Sequence, residues 1–68
     1  MKNTLKVARA KQNITQAELA EKVGVSRQTI NSIEIGKYVP STVLSLKIAS
    51  IFSIPIEEIF TLEESDWK

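Results

Sequence analysis

The chain of 68 residues has no cysteine and no histidine. Disulfides are therefore excluded, and the usual nitrogen and sulfur ligands of a zinc staple are missing. The same two absences remove the commonest general base and the thiol nucleophile of enzymes. With only two glycines there is no glycine-rich phosphate loop. The acidic pairs Glu57–Glu58 and Glu63–Glu64 are neighbours in sequence, so on a helix their carboxylates point apart. No catalysis, metal or cofactor is expected, and no small-molecule site is evident. No apolar run approaches the roughly 18 residues of a membrane span, and the N-terminus lacks the apolar core of a secretion signal. A soluble cytoplasmic protein is the expectation.

The chain is one domain by length. A chain this short buries only about 60% of its unfolded surface, so stability must come from well-formed helices, a partner subunit, or both. The net charge of +1 also looks like a lack, but it is unevenly distributed. Residues 1–47 carry eight basic side chains against three acidic ones, whereas residues 48–68 carry Lys68 against five acids. A basic body suits contact with a polyanion, and the acidic end should point away from it. Two solvated surfaces of opposite sign are the plainer reading.

What is present centres on residues 15–36, TQAELAEKVGVSRQTINSIEIG. Thr15 with Glu18 three residues on makes a capping box. The strong helix formers from Gln16 to Val23 follow, with Leu19, Ala20 and Val23 on one apolar face. Gly24 can take the left-handed conformation that ends a helix. Ser26 caps a second helix almost at once. Ile30 and Ile33 point inward from it, Arg27, Gln28, Asn31 and Ser32 point outward, and Gly36 ends it. A gap this short forces the two helices to cross at a large angle, with Val25 plugging the corner and Ala20 allowing close approach. Helix, glycine turn, helix is the motif whose second helix enters the major groove of DNA. The exposed side chains are those able to donate and accept at base edges.

The run Gln16-Ala-Glu-Leu-Ala, the run Ser26-Arg-Gln-Thr-Ile, and Ile33-Glu34 with Gly36-Lys37 resemble the phage-repressor-like helix-turn-helix regulators of the Cro/C1 type, or xenobiotic-response-element family. The resemblance extends from about Leu5 to Phe60. It implies an all-α, compact five-helix DNA-binding domain over residues 1–60, with the motif at the second and third helices. Base readout then falls to Arg27, Gln28 and Ser32, with Asn31 a further candidate. Gln16, Thr15, Thr29, Lys37 and Tyr38 are the phosphate candidates; Gln16 is otherwise an ordinary first helical residue. The resemblance also implies an ion pair between Arg9 and Glu34, the alternative for Arg9 being a phosphate contact. Ile35 stands where the family commonly has a polar or basic residue, so it is expected to pack under the following loop.

The first helix is expected from Asn3 or Thr4 to Asn13, with Leu5, Ala8 and Val7 inward and Ile14 acting as a hydrophobic staple. Ala8 is small for its place and leaves the core underfilled there. Ser41 caps a fourth, strongly apolar helix through Phe52. Pro55 opens a fifth, and Glu57 and Glu58 suit its positive end. Ile56, Ile59 and Phe60 close the core. In the acidic tail, residues 61–68, Thr61 and Leu62 are candidates to begin a short strand. Ile51, Ile56, Phe60, Leu62 and Trp67 are candidates for a dimer surface, and a frayed tail with an idle tryptophan is the alternative.

These readings give a homodimeric repressor, cytoplasmic and nucleoid-associated, that binds a palindromic double-stranded DNA operator through its third helix. The alternative is an antitoxin-like or partner-regulated interaction module that also binds DNA, with a protein partner on the fourth helix, Ile35 and the tail.

Overall fold

The computed structural model describes residues 1–68, and its element boundaries follow the local signals closely. Helix α1 spans Leu5–Gln12, α2 Gln16–Val23, α3 Arg27–Glu34, α4 Thr42–Phe52 and α5 Ile56–Ile59. Two short strands, β1 (Lys2–Asn3) and β2 (Phe60–Thr61), pair antiparallel, with Lys2 opposite Thr61 and Asn3 opposite Phe60. A 3₁₀ turn over Glu64–Trp67 closes the chain.

The caps explain most of these boundaries. Thr15 accepts a hydrogen bond from the Glu18 amide while the Glu18 carboxylate accepts one from the Thr15 amide, each at 3.0 Å. The Thr15 amide, and after it the Thr15 hydroxyl, hold the Glu18 carboxyl below the usual carboxylate range. Ser26 and Ser41 cap α3 and α4 without the reciprocal bond, their side chains accepting from the amides of Thr29 and Leu44. Asn13 and Ser53 end α1 and α4 with φ of 54° and 55°, in the left-handed region that asparagine tolerates best after glycine. Gly24, at φ 78°, makes the turn between α2 and α3.

The core contains residues from all five helices and β2. Leu5, Leu19, Ile30, Ile33, Ile48, Phe52 and Ile59 are its largest fully buried side chains. Ile30 and Ile33 anchor α3 from below. Beside Ala8 there is a surface groove of about 150 Å³ lined by Thr4, Val7, Lys11, Gln12, Ile54 and Glu58.

Several expectations are corrected. Residues 2–3 are a strand, not the start of the first helix. The Thr4 amide donates to the Ile59 carbonyl at 2.9 Å, so the segment before α1 is tied to α5. The C-terminal strand begins one residue early, at Phe60, and pairs with the chain's own N-terminus. Phe60, a dimer candidate, lies in the chain's own core with Ile59 and presents little surface. Val7 is exposed because the inward stripe of α1 is filled by Leu5 and Ala8. Ile35 is 58% exposed rather than packed under the next loop, since the chain turns away at Gly36. The tail is tied down by the Met1 ammonium, which lies 2.9 Å from Glu63 and 3.1 Å from Asp66. No helix is long and apolar enough to cross a membrane.

Candidate nucleic-acid interface

Helix α3 carries an exposed polar face on a fully buried base. Arg27, Gln28 and Asn31 are exposed and Ser32 half-buried, while Ile30 and Ile33 are at most 1% exposed. The outward side chains are thus carried on a helix that cannot roll without losing its core contacts. A groove of about 590 Å³ on one side is lined in part by Thr15, Gln16 and Arg27. A second groove of about 400 Å³ is lined by Val25, Gln28, Thr29, Ser32, Tyr38 and Leu44. The base-edge candidates therefore sit between two sets of phosphate candidates, Thr15 and Gln16 on one side, Thr29 and Tyr38 on the other. Lys37 is exposed just beyond α3. Thr29 shares a hydroxyl–hydroxyl hydrogen bond of 3.0 Å with the cap Ser26, which fixes its side chain at the rim.

The C-terminal end of α3 is held from α1. The Arg9 guanidinium donates to Glu34 through Nε at 2.5 Å and Nη2 at 3.1 Å, and its Nη1 donates to the Ile14 carbonyl at 3.0 Å. This is a two-pronged pair in which the Glu34 side chain is only 5% exposed. Burial opposes ionisation of Glu34. Hydrogen bonds from Arg9 and Gln16 and the Arg9 charge outweigh it, and hold the carboxyl below the usual range. The hydrogen bonds that Arg9 donates to Glu34 likewise raise the guanidinium above its usual range. With three donors committed, Arg9 is turned inward and away from solvent phosphate.

Three connections had no local sequence signal. The Asn3 side chain donates at 2.9 Å to the Ile33 carbonyl, which also accepts from the Gly36 amide at 3.1 Å at the end of α3. The Gln12 side chain donates to the Phe52 carbonyl at 3.0 Å, tying α1 to the end of α4. Gln16 bonds to three residues of α3, namely Arg27, Asn31 and Glu34. Of the dimer candidates, Leu62 and Trp67 are exposed at 58% and 77%, while Ile51 and Ile56 are half-buried against the core.

Comparison with known proteins agrees with this geometry. The family described as helix-turn-helix matches residues 5–59. An uncharacterized HTH-type transcriptional regulator of Methanocaldococcus jannaschii is 56% identical over 66 residues, covering 97% of this chain and all of the relative. The uncharacterized HTH-type regulator YgzD of Bacillus subtilis is 50% identical over the same length, again covering 97% of this chain and all of the relative. Among solved structures, the SOS-response repressor LexA of Eubacterium rectale superposes with a TM-score of 0.74 at 33% identity. That match covers 79% of this chain but 57% of the LexA chain, so this chain spans little more than half of that protein. A candidate DNA-binding protein from Bacteroides fragilis superposes with a TM-score of 0.79 at 29% identity, covering 85% of this chain and 94% of its own. The family and these relatives are regulators rather than enzymes. The chain belongs to the helix-turn-helix family of Cro/C1-type, DNA-binding transcriptional regulators.

Proposed function

We propose that this regulator is a homodimeric repressor in which each subunit lays α3 in the major groove of one half-site of a palindromic operator. The observation that carries the reading is the exposed polar face of α3 over its buried isoleucines. Arg27 suits the O6 and N7 of guanine, and Gln28 suits the N6 and N7 of adenine. Ser32 and Asn31 lie one turn further along. Thr15, Gln16, Thr29, Lys37 and Tyr38 surround this face and take the phosphates, which set register rather than sequence. Repression follows from occupying a promoter, and the site of action is the cytoplasm, on the nucleoid.

Two-fold symmetry requires both copies of α3 on one side of the dimer, with half-sites about 34 Å apart. Two exposed apolar surfaces are available for the contact. One is the tail with Leu62 and Trp67, flanked by the half-buried Ile51 and Ile56. The other is the stretch from Tyr38 to Leu46, which contains no charged residue and exposes Tyr38, Val39, Val43 and Leu46. About a two-fold axis each residue meets its own copy or a near neighbour. The uncharged stretch meets that condition, and it adjoins the groove beside Gln28 and Ser32. The tail would bring Glu63, Glu64 and Asp66 of the two subunits together.

The same apolar stretch favours a second reading, in which a protein partner covers it and the domain works as an antitoxin-like or partner-regulated module that also binds DNA. Selection from randomised duplexes, with the molar mass of the free protein, tests the first reading. A dimer that enriches an inverted repeat with half-sites one helical turn apart supports it. A monomer that enriches a single unrepeated site contradicts the dimeric repressor and supports the module.

A further inference from the structure

Helix α1 carries two exposed lysines, Lys6 and Lys11, and they stand on different sides of it. Arg9 and Ala10 lie three and four residues on from Lys6, so they share its side of the helix. Both line the groove of about 590 Å³ that also takes in Thr15, Gln16 and Arg27. Lys11 lines the smaller groove beside Val7, Ala8 and Glu58, between α1 and α5.

Lys6 is also near the C-terminal end of α3. Burial opposes ionisation of Glu34, and Arg9, Gln16 and then the Lys6 charge favour it. Lys6 nevertheless forms no ion pair; the Glu34 carboxylate is occupied by the two prongs of Arg9 and by Gln16. On this side Lys6, Arg9 and Arg27 face a single carboxylate, so positive charge is in excess. A lysine ammonium is a compact, mobile charge, which suits a phosphate oxygen better than the edge of a base.

The two grooves beside α3 differ in place as well. The one lined by Gln28 and Ser32 adjoins the uncharged stretch from Tyr38 to Leu46 that suits a two-fold axis. The one lined by Gln16 and Arg27 is on the other side of α3. It therefore points away from the axis, toward the outer end of a half-site.

We propose that Lys6 binds the DNA backbone, donating to a phosphate at the outer end of each half-site, so that the contact surface extends beyond the helix-turn-helix onto α1. The proposal rests on the reading that a dimer lays α3 in the major groove. It adds a contact outside the motif to those of Thr15 and Gln16. It also makes Lys11, on the far side of the same helix, a built-in control.

The experiment is randomised-duplex selection with the wild type and Arg27→Ala, then affinity over a salt series on the enriched duplex. The salt series compares the wild type with Lys6→Ala, Lys6→Arg and Lys11→Ala, with a thermal melt of each. A scan of the duplex with one uncharged methylphosphonate at a time locates the contact. Lys6→Ala should lower the slope of log affinity against log salt by about 0.9, the signature of one lost phosphate contact. The wild type's advantage over it should then shrink about threefold between about 50 and 200 mM salt. Base preference should stay as in the wild type, Lys6→Arg should restore the slope, and Lys11→Ala should keep it. One phosphate outside the base pair that Arg27→Ala relaxes should weaken the wild type when neutralised and leave Lys6→Ala unaffected. The proposal is overturned if Lys6→Ala keeps the wild-type slope; a lower melting temperature with that slope would make Lys6 a partner of Glu34 alone. An equal loss of slope in Lys11→Ala overturns it too, as does a Lys6-dependent phosphate on the axis side of that base pair. If the wild type enriches no inverted repeat, or Arg27→Ala leaves base preference unchanged, the dimeric reading by α3 fails, and the outer contact falls with it.

Discussion

At its C-terminal end α3 is tied by Glu34 to Arg9 and to Gln16, and by the Ile33 carbonyl to the Asn3 side chain. At its N-terminal end Arg27 has one side-chain partner, at 3.3 Å, and Gln28 has none. The same eight-residue helix is therefore clamped where it meets the first helix and open where it meets solvent. A reading helix has to satisfy both demands. Its side chains must be free to reach bases, and its axis must be fixed so that they reach the same bases each time. The fold assigns one demand to each end.

The contrast breaks most severely by cutting the clamp. Glu34→Ala leaves the Arg9 guanidinium partly buried and unpaired, and should cost about 3 kcal/mol of stability in a urea titration. Replacing both residues, as Arg9→Met with Glu34→Leu, should cost clearly less. The clamp can also be loosened by acid. Because the folded carboxyl of Glu34 is held below its unfolded value, its contribution is complete above the ordinary carboxylate range near pH 4–5. It is lost as pH falls through the lower folded value. A stability–pH curve for Glu34→Gln should be flatter than wild type across that acid window. A smaller effect is expected from Asn3→Ala, which removes the bond to the Ile33 carbonyl and the one accepted from the Leu5 amide. About 1 kcal/mol should be lost. At the open end, Gln28→Ala should change stability by less than about 0.5 kcal/mol, since nothing in the protein depends on that side chain.

The division also separates what could be read in the sequence from what could not. The capping box of Thr15 and Glu18, the serine caps at 26 and 41, and the left-handed stops at Asn13 and Gly24 are local. Each depends on residues within four positions of one another, so spacing alone locates them. The outward face of α3 is legible for the same reason, because Ile30 and Ile33 declare the inward one. Of the β1–β2 pair only the C-terminal strand was anticipated, one residue late at Thr61; β1 and the pairing were not legible, because two strands of two residues, 57 positions apart from Asn3 to Phe60, leave no alternation to detect. The Asn3 and Gln12 bonds to distant carbonyls are equally silent, because a polar side chain in a two-residue strand or at a helix end looks the same in sequence whether solvated or bonded. Val7 and Ile35 misled because a single apolar residue does not reveal which side of its element is already full. Gln16, Arg27, Asn31 and Glu34 were each visible as polar positions, but their convergence depends on the crossing of α2 over α3, which only the folded chain shows.

The most direct test of the account is DNA binding by Gln28→Ala against wild type, by randomised-duplex selection with a salt series. The account predicts that wild-type affinity falls steeply with salt. It also predicts that Gln28→Ala relaxes one base pair in each half-site, worth about 1–3 kcal/mol, while keeping the wild-type salt slope. An unchanged base preference in Gln28→Ala, or no enriched sequence from the wild type, would contradict the assignment of base readout to the open end of α3.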